Sequence, residues 1–450
     1  MTDPAPTHHP DDAAGAPVDT SLDVPRWSVN PAVAYGASVG LLLAALGLVT
    51  KQPVFALVAL PLIVSAVVGL ERRPRRADGV AMTTALRPDD DASGVRYTVR
   101  AELPDGVEAV SLHLVGGDDV THRFAVDCAT AASFSGRIPV THSGPQEIVR
   151  LHYSLLADGG TSVSSPAPGP ISSRLIPAPR LRMESLPLPH RVVGITGAHG
   201  SANPGEGGEF RDVALFAPGD RLRRIDWKAT ARRAQRPGEL YVRRSFATAD
   251  AIVMLVVDDR DELGSDVTRW SGARGGAPTA TSLDLAREAA TSLAAAYITA
   301  GDRVGLRDLA GTARSVEPGG GTRHLERLQS TIATAAPSGE PVTSVRTPIL
   351  PSSSLVVVLS TFLDDQAATM AITWAATGHR VVAVDVLPEP ATDKTSREQK
   401  AAFRLLMLER NQRLDGMTAA GVERVRWQAA DGENVPAVQL RLLSRPRRMR

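Results

Sequence analysis

One cysteine, Cys128, is all the thiol that 450 residues contain. That excludes an intrachain disulfide framework and a clustered thiolate zinc site, and Cys128 reads as a small apolar filler. An excess of charge of either sign is missing too. Fifty basic residues against 49 acidic ones leave a formal net charge of +1, so the chain as a whole makes no case for nucleic acid, and a polyanionic partner has to be argued locally. Catalytic signatures are equally thin. The glycine-rich "PGGGT" (318–322) lacks the Lys-Ser/Thr ending that grips phosphate and magnesium, and Thr322 reads as the cap of the helix after it. There is no His-Glu-x-x-His pair and no Gly-x-Ser-x-Gly elbow. His190, His199, His324 and His379 fall in loops or at element ends, where an ordinary polar role suffices.

Long apolar runs are present, and they lie near the N-terminus. Residues 1–30 open with a stretch rich in Pro, Asp, Ala and Thr that reads as a disordered arm, His8 and His9 included. Two charge-free stretches follow, 31–50 and 53–70, of 20 and 18 residues, separated only by Lys51 and Gln52. Each is long enough to cross a bilayer as a helix, so 31–70 predicts a two-helix transmembrane hairpin. Its second helix is followed by Arg72, Arg73, Arg75 and Arg76, whereas the turn offers only Lys51. The positive-inside bias therefore predicts a multi-pass protein of the cell membrane with both termini and the soluble domains in the cytoplasm.

From 80 to 180 short alternating runs such as "VRYTVRAEL" and "EIVRLHYSLL", broken by Asp-Gly and Gly-Gly, predict antiparallel strands in a small sandwich-like domain. Residues 181–249 read as a linker and motif segment. Beyond 250 the period changes. Apolar runs at 251–259, 354–360 and 380–387 alternate with helical patterns at 282–300, within 365–377 and around 396–410, which predicts an α/β domain over 250–442 with a parallel sheet covered on both faces. The segment "SDVTRWSGARGGAPTAT" reads as a surface loop, and 443–450 as a basic tail able to lie on acidic lipid.

Ligands of an open parallel sheet bind at the C-terminal ends of its strands. That singles out Asp258, Asp259, Asp261 and Glu262 after the first strand, Ser360 and Thr361 after a second, and Asp385 near the end of a third. Carboxylate and hydroxyl oxygens converging there suit a hard cation such as Mg2+; the alternative is a solvated turn with a helix cap.

The densest charge lies between 210 and 244, ten basic residues against four acidic ones. A helix over 221–233 would place Arg221, Arg224, Lys228 and Arg232 on one face and Leu222, Ile225 and Ala229 beside them, with Asp220 as cap and Gly219 permitting the turn. Trp227 has a body fit for a core or an interface. The interleaved acids favour a structural join with an ordered salt-bridge network over a phosphate patch, and nothing in the segment is a poised base or nucleophile.

This stretch, "FRDVALFAPGDRLRRIDWKATAR", resembles the hallmark F-R-x-Y-x-x-G-D-x-x-R-x-I-D-W-K-x-x-A-R of a bacterial membrane-protein family known as domain of unknown function 58. The residues that carry the resemblance are Phe210, Arg211, Gly219, Asp220, Arg224, Ile225, Asp226, Trp227, Lys228, Ala231 and Arg232. The resemblance implies a membrane hairpin, a strand-rich region, the motif and then a von Willebrand factor A-like domain. It also implies the company of MoxR-type AAA+ ATPases and membrane-bound transglutaminase-like proteins, in the assembly or maturation of complexes. A-like domains bind metal through Asp-x-Ser-x-Ser with a later threonine and aspartate. Here Asp258, Arg260 and Glu262 stand in the first pattern and Ser360-Thr361 where Ser-Asp is expected, which leaves Asp258 and Ser360 as the metal residues. The expected function is a non-enzymatic, membrane-anchored cytoplasmic adaptor or scaffold; the alternatives are a divalent-metal-dependent ligand-binding domain and a hydrolase built on the strand-end acids.

Overall fold

A computed structural model describes residues 26–71, 80–89, 94–103, 106–116, 121–127, 133–157, 160–192, 197, 199–270, 279–309, 315–337, 347–428 and 435–445. The expectations for His8, His9 and residues 1–25 of the arm, for Cys128, for the arginines at 72–76, for loop residues 271–278 and for tail residues 446–450 lie outside them. The chain divides into two compact units, Met1–Thr141 with Gln146–Arg174, and His142–Pro145 with Leu175–Arg450. The architecture is α/β: two N-terminal helices, a small β-rich region and a sheet region consistent with a von Willebrand factor A-like domain.

In the first unit β1 (Trp27–Val29) runs directly into α1 (Pro31–Thr50). The end of the expected arm is therefore a strand, held because Trp27–Val29 pair antiparallel with Ser162–Ser164. Asn30 makes the junction. Its side-chain oxygen accepts from Ala32 N–H at 3.0 Å, capping the helix, while its amide donates to the Gly160 carbonyl at 2.9 Å. Pro31 opens the helix, where no N–H is needed. By length and composition α1 is apolar enough to cross a membrane, and α2 (Pro53–Glu71) is apolar through Val68 but shorter over that run. Where the two helices meet, a Cβ on Gly40 would stand 3.0 Å from Ile63 Cγ1 and one on Gly47 3.2 Å from Phe55 Cβ, so glycine lets the backbones approach closely.

The strands of this unit are β2 (Ala81–Pro88), β3 (Gly94–Glu102), β4 (Val107–Gly116), β5 (Thr121–Asp127), β6 (Ser133–Pro139), β7 (Gly144–Ala157, its first two residues belonging to the second unit), β8 (Ser162–Ser164) and β9 (Ala167–Ile176, its last two residues belonging to the second unit). One antiparallel sheet runs β2-β3-β6, and the other β1-β8-β7-β4-β5 with β9 on β7. The expected alternation is visible in burial: Val95, Tyr97, Val99 and Ala101 on β3, Val110, Leu112 and Leu114 on β4, and Leu151, Tyr153 and Leu155 on β7 all point inward.

The second unit contains a long hairpin, β10 (His199–Leu215) and β11 (Tyr241–Ala249), within the stretch that reads from sequence as a linker and motif segment. Between its strands lie a 3-10 turn, Leu222–Arg224, and α3 (Trp227–Arg233). The main sheet follows: β12 (Ile252–Val257), α4 (Ser282–Thr299), β13 (Arg303–Asp308), β14 (Val316–Gly319), α5 (Thr322–Thr334), β15 (Leu355–Ser360), α6 (Asp365–Ala376), β16 (Arg380–Asp385), α7 (Arg397–Ala419), β17 (Glu423–Arg426) and α8 (Val435–Ser444). Its order is β14-β13-β12-β15-β16-β17, parallel except for β14.

Buried strands of this kind read as unbroken apolar runs because both faces are covered. On β12, Val253, Leu255 and Val257 join a core with α4, α5 and α8, whereas Met254 and Val256 join another with α6 and α7. Thr322 is the first helical residue of α5, not its cap. That place belongs to Gly321 at φ +86°, a conformation glycine adopts without strain.

Candidate functional site

The strand ends bring Asp258 and Ser360 together. The Ser360 hydroxyl donates to Asp258 Oδ2 at 2.6 Å and accepts from Phe362 N–H at 3.0 Å. Phe362 is fully buried and holds φ +53°, in the left-handed region that costs a non-glycine residue of order 1–2 kcal/mol. Its backbone N–H bond to Ser360 and the core around its ring hold it there.

Arg260, two residues beyond Asp258, folds back onto it. Its Nε and one terminal nitrogen donate to the two Asp258 oxygens at 2.7 and 2.8 Å, and the other terminal nitrogen reaches Asp364 at 2.7 Å and Gln366 at 2.9 Å. Burial works against the charge of this guanidinium, but Asp258 and Asp364 outweigh it and raise its pKa. Asp261 is pushed up, first by burial and then by the charge of Asp258.

The other strand-end acids are each engaged. Asp385 is paired with Arg410, which also donates to the Thr361 carbonyl at 2.7 Å. Glu262 accepts from the Thr281 hydroxyl at 2.9 Å. Among the described residues no group of three or more His, Cys, Asp or Glu side chains is placed to share a metal ion. A cavity of about 790 Å³ lies beside β16 and β17 rather than at Asp258, and its acids Asp385, Glu389 and Glu423 are paired with Arg410, Arg426 and Arg380.

Behind this edge the start of α4 is built on Asp284. Thr281 and Asp284 form a reciprocal capping box. Asp284 also accepts from the backbone N–H and the hydroxyl of Ser143, at 2.7 and 2.8 Å, and lies 2.6 Å from His142 Nδ1; both residues belong to this unit. Burial raises its pKa, but the bonds from His142, Thr281 and Ser143 prevail and hold it at about 2. Arg287, one turn on, donates to the carbonyls of Ser143 and Ala335.

The motif segment forms a second candidate. Gly219 takes φ +101° at the turn, as expected. Asp220 does not cap a helix: it accepts from Ala217 N–H at 2.9 Å and from Arg244 at 3.0 Å, which lowers its pKa, the Arg244 bond first. The helix expected over 221–233 is shorter because Ile225 is extended and bridges to Val242 of β11. Asp226 is the cap instead, accepting from Ala229 N–H at 2.9 Å, while its own N–H donates to the Tyr241 carbonyl at 2.8 Å. Thr230 Oγ1 accepts from Tyr241 N–H at 2.9 Å, which pins α3 to the hairpin.

The motif acids and hydroxyl thus serve its own backbone and one arginine, and the apolar bodies face out. Trp227 is 68% exposed and Leu222 69%, so Trp227 is not the core residue of a join. Lys228, Ala231 and Arg232 are exposed as well, and Arg211 reaches Asp212 at 3.7 Å. Phe210 lies under the Arg243 guanidinium, 5.1 Å from ring centre to Cζ. Arg223, Arg224, Ile225, Asp226, Trp227, Arg243 and Ser245 line a cleft of about 420 Å³.

The family described as "Protein of unknown function DUF58" matches residues 212–394. The match takes in the motif from just after Arg211 and the sheet past the end of β16. Over 220 residues the chain is 29% identical to the uncharacterized protein Rv1480 of Mycobacterium tuberculosis (strain ATCC 25618 / H37Rv) and, equally, to the uncharacterized protein Mb1516 of Mycobacterium bovis. Each alignment covers 47% of this chain and 65% of the relative, so the chain spans about two thirds of the length of the curated relatives it matches. No solved structure matches it.

Proposed function

We propose that the protein is a non-enzymatic, membrane-anchored cytoplasmic adaptor that docks a protein partner on its motif face. The observation that carries the reading is the exposure of Trp227 in a cleft lined also by Arg223, Arg224 and Arg243, with the exposed Leu222 next to Arg223 in the chain, on a segment otherwise tied down by its own hydrogen bonds. Exposed large apolar side chains beside arginine on a rigid support are the makings of an interface hot spot, and the basic rim favours an acidic partner surface. A von Willebrand factor A-like fold suits protein–protein interaction.

The anchor is the pair α1 and α2, read as a hairpin whose flanking arginines at 72, 73, 75 and 76 keep both ends in the cytoplasm. Resemblance to the family supports a MoxR-type AAA+ ATPase as partner, with a transglutaminase-like membrane protein as a further member of the assembly.

Chemical crosslinking in membranes, detergent extraction and recovery of the tagged chain test this reading. An AAA+ ATPase recovered with the intact chain and lost with Trp227→Ala is expected. Extracts that never yield the ATPase would overturn the named partner, and equal recovery with Trp227→Ala would overturn the docking face.

A further inference from the structure

We propose that Arg260 is the resident cation of the strand-end site, so that Asp258 and Ser360 are organised without a divalent ion and any ligand taken at this edge binds independently of one. Of the carboxylates and hydroxyls that sequence offers a hard cation here, the structure brings the Asp258 carboxylate and the Ser360 hydroxyl into direct contact. Both Asp258 oxygens already accept from one guanidinium, at 2.7 and 2.8 Å, and Oδ2 takes the Ser360 hydroxyl besides. The other side of the same guanidinium meets Asp364, at 2.7 and 3.1 Å, and Gln366 at 2.9 Å.

A cation between two carboxylates is therefore in place, and it is part of the chain. The Arg260 side chain is 7% exposed, so a magnesium ion could reach Asp258 only by expelling a buried, fully hydrogen-bonded group of like charge. The remaining pattern residue, Glu262, is occupied at Thr281. These residues do not fit a bound divalent ion. They fit a guanidinium, whose planar fork matches a carboxylate in two parallel bonds and still has donors left over for a second one. The bonds join the end of β12 to the first turn of α6, where Asp364 also caps the helix through Gln366 N–H at 2.9 Å. Joining strand end to helix start is the organising work that a bridging ion would do.

The test uses the full chain in detergent, with Mn2+ as the probe followed by electron paramagnetic resonance, and thermal unfolding in parallel. The intact protein is expected to leave millimolar Mn2+ free and to melt at the same temperature with Mg2+ or with a chelator. Arg260→Ser removes the cation and supplies a hydroxyl. It should melt about 5–15 °C lower, take up Mn2+ and recover part of the loss, with the uptake abolished by adding Asp258→Asn. Two results would overturn the proposal: Mn2+ bound by the intact protein and released by Asp258→Asn alone, or an Arg260→Ser variant that folds yet neither loses stability nor takes up Mn2+. Should Arg260→Ser fail to fold, the titration of the intact chain and of Asp258→Asn decides on the same terms.

Discussion

The strand ends of the main sheet and the motif on the β10–β11 hairpin are both built from arginine and aspartate, and they use them in opposite senses. At the strand ends Arg260 and Arg410 are buried and face inward onto Asp258, Asp364 and Asp385. In the motif it is the acids that turn inward, Asp226 onto the helix start and Asp220 onto a turn, while Trp227, Leu222 and Lys228 stay at the surface. The lesson is that local charge count does not identify a binding face. What matters is which sign the fold consumes internally.

The contrast can be broken by substitution. The largest effect is expected for Arg410→Ala, which strips the partner from Asp385 and from the Thr361 carbonyl and should cost about 3–5 kcal/mol in denaturant unfolding. A loss below about 1 kcal/mol would mean that the strand-end arginines are solvated decoration.

Next comes acid. Asp284 is held at about 2 against an ordinary value of 3.8. A depressed carboxylate contributes its stability above the unfolded-state value and loses it as pH falls toward the folded-state one. About 2 kcal/mol should therefore disappear between roughly pH 4 and pH 2. Asp284→Asn is expected to flatten the stability curve in that window, and a profile as steep as that of the intact chain would rule out Asp284 as the source.

Asp226→Ala should remove the cap of α3 at a cost of about 1 kcal/mol, with Asp226→Asn close to the intact chain. Trp227→Ala should change stability least, by no more than about 0.5 kcal/mol, while partner recovery falls tenfold or further. If Trp227→Ala destabilised as much as Arg410→Ala, the two regions would be alike after all and the tryptophan would be structural.

The alternation of strands and helices from β12 to β17 was legible because fully covered strands leave apolar runs that no surface segment imitates. Three pieces were not. The β10–β11 hairpin runs through "HGSANPGEGGEF", where glycine and proline erase the period-two signal and the pairing is carried by backbone with shifts in register. The four-residue β14 is antiparallel and contains proline and glycine, so it lacks the run that marks its neighbours. The α8 stretch was split between domain and tail, because its Leu440 and Leu443 sit among arginines and reveal themselves only by packing on the core.

At the site, sequence identified Asp258 and Ser360 and noticed that arginine stood where serine was expected. It gave no sign that this arginine would close back onto a carboxylate two residues earlier, or that Asp364 and Gln366 would complete the set, since they arrive from the cap and first turn of α6, more than a hundred residues away. The cap of α3 was misplaced for a related reason. Two aspartates precede the same basic run, and only the bridge from Ile225 to Val242 decides between them.

Asn30 is at once the last residue after β1 and the cap of α1, with bonds in both directions. There is no slack between sheet and apolar helix. Tilt or axial load on α1 is delivered to the β1–β8 edge through one residue, in the manner of a lever set in its mount rather than a cord. Residues inserted between Val29 and Pro31 would convert the mount into a hinge while leaving the apolar helix itself unchanged.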